Sequence, residues 1–530
     1  MLAPDLVLPA LVARRAAETP DRVYLEDAGG RTLTYAQTDR EAKRWAQAYR
    51  EVGVSAGDTV LAMLPMSALA LCSWLGLGRL RAIEVPVNTA YRNRMLAHVV
   101  ADSAASVVVV AAKYLPQLAE IADQVPGLRT VVVTDAEAAG ADRPTLPWEV
   151  LDARGLLPAD PPAADPAEEA PSGRDTCAIL YTSGTTGPPK GVQVAWAQLH
   201  ATATGMPPYP QLTADDTYYC PYPLFHVGGK HPPYLMALAG GRVVVKDGFR
   251  TQEFWPDIRR HGCTVTFLLS AMSKFVESLP AAPDDADRPL RHVIMVPLLP
   301  ELDAFRKRFD VEVSTIFNMT EISTPIRSDG ADLVDGRSCG RLRPGYQAQV
   351  VDENDDPVPH GEVGELVVRG DVPWTHMSGY WRLPEKTAES FRNQWFHTGD
   401  AFTRDAEGNF YFVERMNDVI RRRGENIPSS EVEAEATTHP DIAECAVVGV
   451  PSRWGEHEIK AVVVPEPGRT PAPADLHAYL VERLPRFMVP RYVELVAELP
   501  LTATQKVSKS ALRAAGITAQ TWDSSPETER

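Results

Sequence analysis

The stretch Tyr181–Val192, "YTSGTTGPPKGV", decides how the rest of the chain is read. It follows the apolar run "TCAIL" directly, so a strand is expected to end at Tyr181 and a loop to begin there. Clusters of Ser, Thr, Gly and Pro usually serve as plain connectors. This cluster carries more. Gly184, Gly187 and Gly191 free the backbone to turn its N–H groups inward, and groups so arranged form an anion nest. Thr182, Ser183, Thr185 and Thr186 add hydroxyls and Lys190 adds an ammonium, all donors to phosphate oxygens. The Walker pattern G-x-x-x-x-G-K-[ST] does not fit, so the loop reads as phosphate-binding without being a P-loop.

Working outward, the chain of 530 residues is too long for one core and implies two or more domains. Its net charge of −17, with no basic run denser than Arg421–Arg423, argues against nucleic acid as a partner. Six scattered cysteines (Cys72, Cys177, Cys220, Cys263, Cys339, Cys445) include no C-x-x-C pair, which suggests reduced thiols in a cytoplasm and no zinc site. The N-terminus "MLAPDLVLPALVARR" does not read as a signal peptide. Thr59–Gly78 is uncharged and nearly long enough to span a bilayer, but Pro65 divides it. It reads as a buried strand "VLAML", a helix "MSALALCSWLGLGRLRA" and a next strand "IEVPV", with no membrane span.

The same strand–helix rhythm recurs in "RVYLED", "ASVVVVAAKY" and "LRTVVVTD", β-branched runs of parallel-sheet type. Residues 152–173, rich in Pro, Ala and acid, read as an exposed connector. Buried runs resume with "GRVVVKD", "CTVTFLLS", "RHVIMV" and "VEVSTIFN". After Arg341 alternating strands and turns suggest a small antiparallel or barrel-like module. From about Val419, strands such as "AECAVVGV" alternate with helices such as "PADLHAYLVERL", enough for a separate α+β domain.

Further motifs follow the loop in order: "PYPLFHVGG" (Pro221–Gly229), "FNMTE" (Phe317–Glu321), "WFHTGD" (Trp395–Asp400), "ERMNDVIRRRGENIPSSEVE" (Glu414–Glu433) and "PLTATQKVSK" (Pro500–Lys509). Together they resemble, over nearly the whole chain, the adenylate-forming superfamily of acyl- and aryl-CoA synthetases, carrier-protein adenylation domains and firefly-type luciferases. "FNMTE" and "TATQKVSK" are most similar to the carnitine/crotonobetaine-CoA-ligase-like branch. The resemblance implies an α/β fold: a large N-terminal domain of several subdomains over residues 1–416, with parallel sheets flanked by helices and a small β-barrel-like module. A hinge at Asn417 and a small mobile α+β domain at 418–530 complete it.

It also implies roles. Thr182, Ser183, Gly184, Thr185, Thr186, Gly187 and Lys190 hold the β/γ-phosphates of ATP. Phe317 stacks on adenine, Asn318 and Met319 complete that wall, Thr320 meets the α-phosphate and Glu321 ligates Mg²⁺. Asp400 and Arg415 reach the ribose, and Lys506 is the catalytic lysine of adenylation. His226 gates the carboxylate or thiol path. After rotation about the hinge, Gly424 admits the pantetheine thiol and Arg421–Arg423 meet CoA phosphates.

The implied activity is an ATP- and Mg²⁺-dependent carboxylic acid:CoA ligase. Alternatives keep the adenylate but change the acceptor to a carrier-protein thiol supplied in trans, an amine or nitrite; another is a catalytically silent nucleotide-binding homologue. A homodimer is left open. The sequence departs from the family at Ile294–Leu302, where bulky Val296, Leu298 and Leu299 replace small residues and are expected to reshape the acid pocket. It departs also at Asn318, at Gln505 and at Asn417. Asn318, in place of a glycine, is expected to keep a left-handed turn. No Asp follows "PLFH", which disfavours amino acids; Lys230 and His231 there either serve a polar or second carboxylate group or face solvent.

Overall fold

Val107–Val110 and Thr130–Val133 form strands with every residue buried, as β-branched runs in a two-sided parallel sheet must. The computed structural model describes residues 2–27, 30–139, 144–161, 169–182, 189–328, 333, 337–418, 420–422, 425–427, 429–451, 457–484, 486, 488–501 and 507–524. By packing these fall into two compact units: 1–347 with 368–396, and 348–367 with 397–530.

The first unit holds two sheets. One runs Gly379–Tyr380, Lys190–Ala195, Thr176–Thr182, Ile83–Pro86, Thr59–Met63, Val107–Val110, Thr130–Val133, Glu149–Asp152. Its pairs are parallel from Thr176–Thr182 to Glu149–Asp152, and antiparallel where Thr176–Thr182 meets Lys190–Ala195. The other carries the parallel strands Glu312–Met319, His292–Val296, Val265–Leu269, Thr217–Cys220, Arg242–Val245 and Val23–Asp27 in spatial order. Parallel strands put their carboxyl ends on one edge, where α/β sheets bind ligands.

Thr59–Gly78 folds as read: a fully buried strand Thr59–Met63, then a helix Ala68–Arg79 capped by the Ser67 hydroxyl. That helix has 12 residues, and none described is long and apolar enough to cross a membrane. It packs on the helix Tyr35–Glu51 so closely that a Cβ at Gly76 would lie 2.6 Å from the Trp45 Cβ. The connector is only partly a free strap. Asp152 ends a strand, Ala153–Leu156 makes one helical turn, and Arg44 donates to the Pro158 carbonyl at 2.6 Å.

The strands Tyr346–Val351, Gly364–Gly370, Phe396–Arg404 and Asn409–Arg415 lie side by side as an open ladder. The barrel-like module is thereby corrected: the described strands do not close on themselves. Beyond it, Ile442–Pro451, His457–Pro465, Tyr492–Leu495 and Trp522–Asp523 form a separate sheet. The helices Ser429–Ala436 and Pro473–Val481 bury Val432, Ala436, Leu476 and Leu480 against it. Val432, Leu476 and Leu480 are each worth about 1.5–3 kcal/mol on full burial, which suits a unit with its own core.

Candidate active site

The antiparallel pair Thr176–Thr182 and Lys190–Ala195 holds the opening motif by its stems. Thr182 and Lys190 are cross-strand partners, and the Thr182 hydroxyl lies 3.5 Å from the Lys190 carbonyl. Ser183, Gly184, Thr185, Thr186 and Gly187 lie outside the described residues. The stems are braced by a residue that sequence reading passed over. Asp102 ends the helix Asn93–Asp102; it accepts from the Tyr181 hydroxyl at 2.6 Å and, through its carbonyl, from the Trp381 indole at 2.9 Å. Gly191 is required here, because a Cβ would stand 2.6 Å from the Ile179 Cγ2.

Lys190 places its ammonium 4.8 Å from the centre of the Tyr380 ring, a cation–π contact. Burial lowers its pKa, and Lys386 nearby lowers it further, while Glu321 and Glu389 act in the opposite sense. Tyr380 donates its hydroxyl to Glu321 Oε1 at 3.1 Å, and the Met377 N–H donates to the Glu321 carbonyl at 2.7 Å. The two sheets of the first unit thus meet at three side chains, Lys190, Tyr380 and Glu321. Glu321 is only 8% exposed, so its carboxylate is held rather than solvated. Tyr380, in "SGYW", gave no signal on its own in the sequence.

Phe317, Asn318 and Met319 end the strand Glu312–Met319, with Phe317 buried and the other two half-buried. Thr320 follows, its carbonyl accepting from the buried Gln198 amide at 2.6 Å. The pairing with Ser323–Ser328 slips between Phe317 and Met319, so Asn318 sits at a bulge. The expected left-handed turn at Asn318 is corrected. The residue with positive φ is Ser323, at 59°, and its hydroxyl meets the Tyr346 hydroxyl at 2.6 Å.

His226 precedes the helix Val227–Ala239, beside Phe225 with ring centres 4.6 Å apart. It is open to solvent yet crowded by protein, and that desolvation lowers its pKa, so it is neutral near pH 7. Two neighbours do not serve as expected. Lys230 neither faces solvent nor lies free for a substrate: it is 0% exposed, pairs with Glu84 at 1% exposure, and lies 3.8 Å from the Trp74 ring centre. His231 is buried as well, with Nδ1 3.1 Å from the Val227 carbonyl and Nε2 3.3 Å from the Tyr218 hydroxyl. The Ile294–Leu302 departure is also redirected. Leu298 and Leu299 pack into the core with Met295, Leu302 and Phe305, leaving Val296 half-buried.

In the second unit Asp400 and Arg415 face each other on adjacent strands, Nη1 to Oδ1 2.9 Å. Asp400 is 1% exposed and Arg415 about half exposed. A buried carboxylate oriented by a cross-strand cation suits acceptance of two vicinal hydroxyls. Ile420–Arg422 pairs with Glu425–Ile427 as a hairpin. Arg422 does not point to a phosphate ligand: it is buried, paired with Glu458 at 2.7 Å, and donates to the Val489 carbonyl at 3.0 Å. Gly424, Gln505 and Lys506 lie outside the described residues.

The donor set fits Mg²⁺ better than any softer metal. Mg²⁺ is held through one or two carboxylates plus substrate phosphates rather than by an all-protein cage. Glu321 offers one held carboxylate, and among the described residues no three His, Cys, Asp or Glu side chains gather as a cage.

Residues 12–381 match the model of the AMP-binding enzyme family, and residues 431–506 match that of the AMP-binding enzyme C-terminal domain. The chain belongs to the AMP-binding enzyme family. It is 31% identical over 488 residues to the crotonobetaine/carnitine–CoA ligase of Salmonella choleraesuis strain SC-B67, across 91% of this chain and 93% of that one. ATP-bound MatB from Rhodopseudomonas palustris is similar in structure, with a TM-score of 0.81 and 27% identity over 96% of this chain and 98% of that one. The anthranilate CoA ligase AuaEII, solved in complex with anthranoyl-AMP, gives a TM-score of 0.79 and 26% identity over 96% and 97%. The chain is an AMP-forming acid–thiol ligase using ATP, Mg²⁺ and coenzyme A.

Proposed function

We propose that this ligase activates a monocarboxylic acid whose remaining atoms carry no net charge. The observation that carries the reading is the locked Lys230–Glu84 pair. The helix Val227–Ala239 follows the strand Thr217–Cys220 at its carboxyl end, and the basic groups at and just before its start are His226, Lys230 and His231. The lysine is neutralised by Glu84, and desolvation by the surrounding protein keeps both histidines uncharged near pH 7. That wall offers neither a cation for a second carboxylate nor an anion for an ammonium. Phe225 beside His226 adds an apolar face.

In the first step a carboxylate oxygen attacks the α-phosphorus of ATP; the new O–P bond forms as the α–β bridge breaks, and pyrophosphate leaves with the electron pair. In the second step the CoA thiolate attacks the acyl carbon, and AMP leaves with the bridging oxygen. Mg²⁺, when bound at Glu321, neutralises phosphate charge. Lys190 and the hydroxyls of Thr182, Ser183, Thr185 and Thr186 bind and orient the β/γ-phosphates, with the Gly184 and Gly187 N–H groups in support. Thr320 holds the α-phosphate, while Phe317, Asn318 and Met319 bound the adenine. Asp400 and Arg415 fix the ribose. His226, neutral, controls entry of the acid and then of the thiol. Lys506 bridges carboxylate and phosphate in the first step. Residues 1–416 and 418–530 act as domains turning about Asn417, so that Gly424 replaces Lys506 for the second step. Six cysteines, none in a disulfide, fit a reducing cytoplasm, and a carrier protein in trans or a second copy in a homodimer is a further partner this reading allows.

The test is acid-dependent exchange of labelled pyrophosphate into ATP over straight-chain and aromatic monocarboxylates, dicarboxylates and trimethylammonium acids. Uncharged monocarboxylates should support the fastest exchange. Preference for a dicarboxylate or a trimethylammonium acid would refute the charge argument.

A further inference from the structure

The short helix Lys509–Ala515 begins three residues after Lys506 and carries two cations one turn apart on one face, Lys509 and Arg513. Neither cation is left to solvent alone. Lys509 donates to the Ser429 hydroxyl at 2.5 Å and pairs with Glu433 Oε1 at 2.7 Å. Arg513 pairs with Asp418, the residue after Asn417. Ser429 opens the helix Ser429–Ala436 and is itself gripped. Its N–H and hydroxyl both donate to Glu414, at 2.7 and 2.6 Å, and the Ser430 N–H reaches the same carboxylate at 3.3 Å. Glu433 in turn accepts from the Val447 N–H at 2.7 Å. Glu414 and Ser429 are buried, so these charge-assisted bonds act where water competes little.

The stems on either side of residues 502–506 are closed on each other. Leu501 and Val507 form an isolated bridge, and the Ser508 N–H donates to the Pro500 carbonyl at 2.7 Å. The ammonium of Lys509 stands directly after this closure. The chain of bonds therefore runs from the stem of the Lys506 segment, through Lys509, to Ser429 and Glu433, and through Glu414 to the strand Asn409–Arg415 that leads to Asn417.

We propose that Lys509 is a positioning residue: its ammonium sets the place of Lys506 against the segment that follows the hinge, so that acid activation needs it although it touches no substrate. This rests on the reading of Lys506 as the adenylation lysine. The hairpin used for thioester formation has an anchor of its own, because Ile420 and Ile427 sit in the core of the unit.

Three variants of the full chain test this: Lys509→Met, Lys509→Arg and Lys506→Ala. Each is assayed for acid-dependent pyrophosphate exchange, for thioester formation from supplied acyl-adenylate and CoA, and for melting temperature. A displaced catalytic group of about 1 Å costs up to about 100-fold, so Lys509→Met should slow exchange by about 10- to 100-fold. Thioester formation should change less than exchange does, and Lys509→Arg should restore most of the exchange. Full exchange in Lys509→Met while Lys506→Ala is dead overturns the proposal and leaves the Lys506 reading intact. Equal loss of both steps in Lys509→Met, unrescued by Arg, overturns it in favour of a merely structural role. Unimpaired exchange in Lys506→Ala overturns the reading beneath it.

Discussion

Glu321 joins both sheets of the first unit, through the hydroxyl of Tyr380 and the N–H of Met377. Glu321→Gln should lower adenylation by about 100-fold or more, since the charge opposite the metal and phosphates is lost at fixed shape. Tyr380→Phe removes only the donor that orients the carboxylate, so a smaller loss, about 10-fold, is expected by the same pyrophosphate-exchange assay. Lys230 carries a different prediction. Lys230→Met leaves Glu84 buried without its cation, which costs about 3–5 kcal/mol of stability in chemical denaturation. Buried histidines set the acid limit. Burial pushes the pKa of His200, His231 and His376 down to about 4. An unfolded histidine titrates near 6.5, so below that pH the unfolded chain binds protons that the folded one refuses. The melting temperature should be level above pH 6.5 and fall as pH drops toward 4, with a shallower fall in His231→Asn. At this scale the sequence was legible where a motif names chemistry, as in Glu321. It was opaque where burial decides, as in Lys230, whose partner Glu84 lies 146 positions away.

Among elements, the pair Thr176–Thr182 and Lys190–Ala195 matters most, because it fixes both ends of the phosphate loop in register. Gly191→Ala would drive a Cβ toward Ile179 and the Trp381 Cβ, at 2.6 and 3.2 Å. Overpacking of this kind costs about 1–3 kcal/mol, and the KM for ATP should rise along with a lower melting temperature. Strands and helices of the first unit were readable because β-branched runs and Pro65 leave strong local marks. The fate of Leu298 and Leu299 was not, because a run of apolar residues does not say which wall it faces, and here the core claims both. Asn318 teaches the same lesson for turns: the hairpin takes its left-handed residue at Ser323, where the Tyr346 hydroxyl is on hand. Barrel closure likewise depends on where edge strands end, which alternation alone does not specify.

For the molecule as a whole, the order of motifs gave the class of reaction, since each supplies one part of a phosphate-activating site, and the family models cover the first three motifs whole and reach into the last two. The acid left a weaker trace, carried by the charge state of one helix. The central claim is that a carboxylate oxygen displaces pyrophosphate from the α-phosphorus. The measurement that reaches it most directly uses the best acid from the exchange panel with both carboxylate oxygens replaced by ¹⁸O, together with ATP, Mg²⁺ and CoA, and mass spectrometry of the products. The account predicts one ¹⁸O in AMP and none in pyrophosphate. Label in pyrophosphate or inorganic phosphate, or AMP released without label, would contradict it.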